Sequence, residues 1–193
     1  MKKIAVFASG SGTNFQAIND AIKDGKLEAQ IGLLVCDRKG AMCIKRAESE
    51  NIPTFVFTAK EYQDKTSYEE EVLQRLHEQE IEFIVLAGYM RLIGHTLLNA
   101  YRGRIVNIHP SLLPAFQGKD AIGQALAAKA ALTGVTVHFV DEGMDTGPVI
   151  DQREVVIDEG DTKEMLEAKV HDIEHKLYPA VLQRLFKSED ASI

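Results

Sequence analysis

Apolar runs of strand length alternate with helix-period segments through about the first 140 residues, and this alternation restricts the fold more than any other feature. Runs at 4–8 and 31–36 precede helical patterns at 14–23 and 41–50. A short run at 54–57 follows Pro53, and the segment 66–80 repeats Tyr68, Val72 and Leu76 at a spacing of four. The runs at 83–87 and 104–108 lack period-two alternation, as expected of strands in a parallel sheet covered on both faces. The pattern then changes. An alanine-rich helix is predicted over 121–131, stopping near Gly134, and 135–140 and 149–157 read as strands with no helix between them. That edge of the sheet is therefore expected to be antiparallel. A last helix over 162–186 places Leu166, Val170, Ile173 and Leu177 on one face, with Asp161 as its expected cap and Glu164 as the capping-box acid. Residues 1–193 are predicted to form one α/β domain, with a mostly parallel sheet, an antiparallel edge and helices on both faces.

Composition narrows the function classes. A formal net charge of −7 argues against a nucleic-acid partner, which needs a basic face, but leaves room for one positive pocket. Cys36 and Cys43 are too few for a disulfide scaffold, and Cys36 sits in an apolar run as a packed small side chain. The opening MKKIAVFASG breaks at Ser9-Gly10, too early for an export signal, and no run approaches the ~18 apolar residues of a membrane span. A cytoplasmic protein without a membrane partner is expected.

The turn after the first strand, SGSGTN at 9–14, opens a helix. Glycines let the backbone approach a ligand, and free N–H groups at a helix start favour an anion. A dinucleotide fingerprint would need glycine where Phe15 stands, and no GK[ST] follows. A monophosphate fits this turn better, with Asp37 at the end of the second strand keeping the dinucleotide alternative open.

The stretch NIHPSLLP at 107–114 ends a strand with polar groups. Asn107 and His109 alternate along extended backbone and so face the same side, while Pro110 and Pro114 stiffen the chain beyond them. Ligands of open parallel sheets bind beyond the carboxyl ends of strands, where the glycine turn and Gly88-Tyr89-Met90-Arg91 also lie. An acid from the 141–148 loop within reach of His109 would complete a proton-transfer set, with an Asn amide to meet an oxyanion. Spacing alone leaves that set open. His77 and His95 read as solvated, His138 as a satisfied structural residue, and without ligand spacing such as HExxH no metal is expected.

The stretch NIHPSLLP resembles the signature of folate-dependent formyltransferases. The glycine turn, VLAGYMR at 85–91 and the loop 141–148 are similar to the branch acting on glycinamide ribonucleotide, over residues 3 to about 185. The resemblance implies a Rossmann-like formyltransferase fold and transfer of the formyl group of 10-formyltetrahydrofolate to the amine of N1-(5-phospho-D-ribosyl)glycinamide, in de novo purine biosynthesis. It also implies a monomer or homodimer with small-molecule partners and no nucleic acid. Residue by residue, it carries catalytic roles onto Asn107, His109 and Asp145, and a ribonucleotide site onto Gly12, Thr13, Asn14, His171 and Glu174. It carries folate binding onto Lys65, Met90, Arg91, Leu92, Ile93, Asn107, Val140, Asp141, Glu142, Gly143, Met144 and Asp145. Gln117 stands where many members have proline, which implies a looser loop after the signature, and His171 stands where relatives vary.

Overall fold

A computed structural model describes residues 1–190. Seven strands form one sheet: β1 (Lys2–Ala8), β2 (Ala29–Cys36), β3 (Thr54–Val56), β4 (Phe83–Leu86), β5 (Ile105–His109), β6 (Leu132–Phe139) and β7 (Val149–Val156). Their order is β3-β2-β1-β4-β5-β6-β7. The first five run parallel, and β6 is antiparallel to both β5 and β7. The β6–β7 pairing follows from the missing helix between them. The reversal between β5 and β6 does not, because a helix intervenes there.

The helices are α1 (Thr13–Lys23), α2 (Met42–Ser49), α3 (Lys65–Glu78), α4 (His95–Ala100), α5 (Ala121–Ala127) and α6 (Lys163–Asp190). Alternate residues of β1 feed two cores. Ile4, Val6 and Ala8 pack under side chains of α1, α2, α5 and α6, whereas Ala5 and Phe7 pack under those of α3 and α4. Both faces are thus covered, which is why Ile4, Ala5, Val6, Phe7 and Ala8 are all fully buried. Tyr178 of α6 fastens helix to sheet: its buried hydroxyl donates to the carbonyls of Leu86 at 2.7 Å, the last residue of β4, and Val106 at 3.2 Å, within β5.

Two local expectations are corrected. The helix at 121–131 ends at Ala127, because Lys129 takes a left-handed φ of 51° and the Ala131 carbonyl accepts from Ile157 N at 3.0 Å. Alanine's helix preference yields there to sheet pairing. The cap of α6 is Thr162, whose Oγ1 accepts from Met165 N at 3.2 Å. Asp161 instead accepts from Asp158 N at 2.9 Å and from Lys169 Nζ at 2.5 Å. The short helix α4 had no periodic signal of its own. Cys36 is buried as expected, with its sulfur 3.6 Å from that of Cys43.

Candidate active site

The glycine turn passes from β1 into α1. Gly12 occupies the cap position at φ 73°, and no side chain caps the first turn of α1. The leading N–H groups are therefore available to an anion, with the positive end of the helix dipole behind them. Gly12 is demanded by packing as well: a Cβ there would lie 2.6 Å from Cys43 Cβ and 2.8 Å from Cys43 Cα. Around the turn, Cys43 N donates to the Gly10 carbonyl at 3.0 Å and Arg46 Nε to the Ser11 carbonyl at 2.8 Å. Arg46 thus brings a cation to the turn, one that the spacing of motifs gave no reason to place there.

The Asn14 amide donates to Glu174 of α6 at 3.1 Å, joining two predicted ribonucleotide residues that are 160 positions apart. Glu174 is only 5 % exposed. Burial pushes its carboxyl above the ordinary glutamate range, against the opposing pull of the Asn14 bond and His171. The folded state therefore binds this proton more tightly than the unfolded chain. The resulting stability is complete below the ordinary glutamate range and is lost as pH rises through the raised value. Glu174→Gln, which cannot ionise, is expected to lose less melting temperature than the parent between pH 5 and 8. Equal losses in thermal melts at the two pH values would contradict this.

The dinucleotide alternative for Asp37 fails. Its carboxylate accepts from the Ser9 hydroxyl at 2.5 Å and from Arg91 Nε at 2.8 Å, leaving it committed to protein partners. Arg91, predicted at the folate site, makes that pair through Nε, lies 5.8 Å from the Tyr68 ring centroid and still lines the cleft.

At the end of β5 the polar groups meet. His109 is 6 % exposed, with Nδ1 3.5 Å from Asp145 Oδ2 and Nε2 2.9 Å from the Phe116 carbonyl. Both ring nitrogens face acceptor oxygens, so donating to both takes two ring protons. The β5–β6 register sets Asn107 opposite His138, and Asn107 Nδ2 lies 3.3 Å from His138 Nε2. His138 Nδ1 is 2.8 Å from the Phe139 carbonyl and donates to it, which leaves Nε2 to accept from Asn107. Burial lowers the pKa of His138, in keeping with this neutral tautomer. Its 3.8 Å separation from Asp145 Oδ1 is accordingly proximity and not an ion pair. His138 is satisfied, as expected, yet it also orients the Asn107 amide. Sequence reasoning missed that role because cross-strand register carries no local signal.

Asp145 has φ 56°, and Gly118 N donates to its Oδ2 at 2.8 Å. The Gln117 side chain donates to the Asp145 carbonyl at 3.2 Å, so the loop expected to be looser is cross-tied. Asp141 accepts from Gly143 N at 3.0 Å and Thr146 Oγ1 at 2.6 Å, folding the 141–146 loop on itself.

A cleft of about 700 Å³ joins these parts, lined by the glycine turn, residues 86–93, Asn107, His109, His138, Val140, residues 143–145, His171 and Glu174. Met90, Leu92 and Met144 stand in its wall as exposed large apolar side chains. Lys65, Asp141 and Glu142 are predicted folate residues outside that lining, and the Lys65 ammonium donates to the Leu92 carbonyl at 2.9 Å, at its border.

Residues 2–182 match the family model described as formyl transferase. The chain belongs to the formyl transferase family. It is 55% identical over 185 residues to the phosphoribosylglycinamide formyltransferase of Bacillus subtilis (strain 168), covering 96% of this chain and 95% of that protein. It is 41% identical over 181 residues to the trifunctional purine biosynthetic protein adenosine-3 of Gallus gallus, covering 94% of this chain but only 18% of that longer protein. The crystal structure of glycinamide ribonucleotide transformylase 1 from Geobacillus kaustophilus superposes with a TM-score of 0.94 at 64% identity, covering 96% and 98% of the two chains. The formyl transferase fold therefore extends over the seven-stranded sheet and the strand ends that build the cleft.

Proposed function

We propose that this formyl transferase moves the formyl group of 10-formyltetrahydrofolate to the amine of N1-(5-phospho-D-ribosyl)glycinamide, as one catalytic domain spanning the chain. The observation that carries the reading is that Asp145, from the loop after β6, meets His109 of β5 in the cleft that Asn107 also lines, beside a glycine turn suited to a phosphate. The N–H groups after Gly12 hold the ribonucleotide phosphate, and Glu174 with His171 meets the sugar. The folate ring lies along Met90, Leu92, Val140 and Met144, an apolar wall with few polar groups.

The substrate amine forms a bond to the formyl carbon, and the carbonyl oxygen gains negative charge. Asn107 donates to that oxygen, and the His109 ring N–H that meets the Phe116 carbonyl without substrate turns to it. The amine surrenders a proton through the His109–Asp145 pair, and the folate nitrogen takes one up as its bond to the formyl carbon breaks. Protons and bonds balance without a redox partner. The cosubstrate supplies the carbon; the chain supplies orientation, charge and proton movement.

The test mixes purified protein with both substrates and follows the folate absorbance beside the formylated product. One tetrahydrofolate per product is expected. Folate turnover without ribonucleotide product would overturn the reading.

A further inference from the structure

The contact between His109 and Asp145 is braced by a segment to which neither belongs. Phe116, Gly118 and Asp120 take positive φ values of 53°, 79° and 53°. Left-handed backbone costs a non-glycine residue about 1–2 kcal/mol, so local preference does not hold this shape. Hydrogen bonds do. His109 Nε2 meets the Phe116 carbonyl at 2.9 Å, and Gly118 N meets Asp145 Oδ2 at 2.8 Å. From α5, the Gln124 carboxamide Nε2 donates to the carbonyls of Gln117 at 3.0 Å and Lys119 at 2.8 Å.

These bonds are coupled by covalent geometry. In a trans peptide the C=O of one residue and the N–H of the next share a plane and point in opposite directions. The Gln117 carbonyl and the Gly118 N–H are the two ends of one such unit. Gln124 holds its oxygen end and Asp145 its hydrogen end. A single amide nitrogen with two protons suits two carbonyls flanking one glycine, whereas a carboxylate there would face both carbonyls with acceptors only.

We propose that Gln124 is a positioning residue for formyl transfer, aligning the 117–118 peptide so that Gly118 N–H holds the Asp145 carboxylate against His109. The inference rests on the catalytic reading of His109 and Asp145. Gln124 does not line the cleft and acts only through the loop.

Gln124→Met keeps the length of the side chain and removes both donors. It is expected to lower kcat between about 10- and 100-fold, the scale of a small misplacement of catalytic groups. The ribonucleotide KM should stay within about twofold, because the phosphate turn is separate, and the pH profile of kcat should move with the loosened His109–Asp145 pair. Gln124→Glu should be at least as slow. If the methionine variant melts below the assay temperature, Gln124→Asn, which keeps the carboxamide one carbon short, reads the same split. Parent values of kcat and an unmoved pH profile would overturn the positioning role, even with a lowered melting temperature. His109→Ala and Asp145→Asn run beside them separate the two ideas. If those keep turnover, the catalytic reading has failed; if they lose it while Gln124→Met does not, only the positioning role has.

Discussion

His109→Ala is expected to leave a folded protein whose formyl transfer is slower by about 10²–10⁴-fold, the range of a lost general acid–base group. The imidazole sits at the end of β5 and lines the cleft, so its loss opens the cleft wall and leaves the sheet ladder in place. One hydrogen bond to the Phe116 carbonyl disappears, which costs about 1 kcal/mol of stability, small against the catalytic loss. Asn107→Ala should cost about 2.7–4 kcal/mol of transition-state stabilisation, the magnitude of one oxyanion donor. It also leaves His138 Nε2 without the amide it accepts from. Steady-state kinetics with circular dichroism on the same samples separates chemistry from folding. In both variants the ribonucleotide KM should be little changed. Turnover near the parent value in either one would remove that residue from the catalytic assignment.

Gly12→Ala is expected to damage the ribonucleotide site and the fold together. Alanine at φ 73° costs about 1–2 kcal/mol in backbone strain alone. Its methyl would also sit 2.8 Å from Cys43 Cα, and backbone atoms yield less readily than a side-chain tip. The first turn of α1 would have to move from α2, carrying the anion-facing N–H groups with it. A ribonucleotide KM raised at least about tenfold, with a melting temperature several degrees lower, is the expected result. Cys43→Gly in the same chain removes the 2.6 Å Cβ clash but leaves the Cα approach and the φ strain, so it should restore only a part of both losses. A single variant with parent affinity would show that the turn does not hold the phosphate.

The elements were legible where local physics decides them. Apolar runs without period-two alternation marked β1, β2, β4 and the start of β5, and the four-residue spacing of Tyr68, Val72 and Leu76 marked α3, since side-chain period follows directly from backbone geometry. The absence of a helix between 140 and 149 foretold the antiparallel β6–β7 pair. Local rules failed where neighbours outbid them. Asp161 has the chemistry of a cap, but Lys169 and the Asp158 N–H engage it, and Thr162 caps α6 instead. Asp37 ends a strand as a ribose-binding acid would, but Ser9 and Arg91 claim it. Gln117 lacks the ring constraint of proline, and its side-chain bond to Asp145 supplies another.

By itself, then, the sequence determined the alternating α/β plan, the glycine turn, and an Asn and a His facing one way from a strand end, because each depends on residues a few positions apart. Only the tertiary structure decided that His138 lies across from Asn107, that Asp145 is the acid meeting His109, and that Gln124 braces the loop between them. Those relations join residues distant along the chain through strand register and the path of loops, and no local periodicity encodes them.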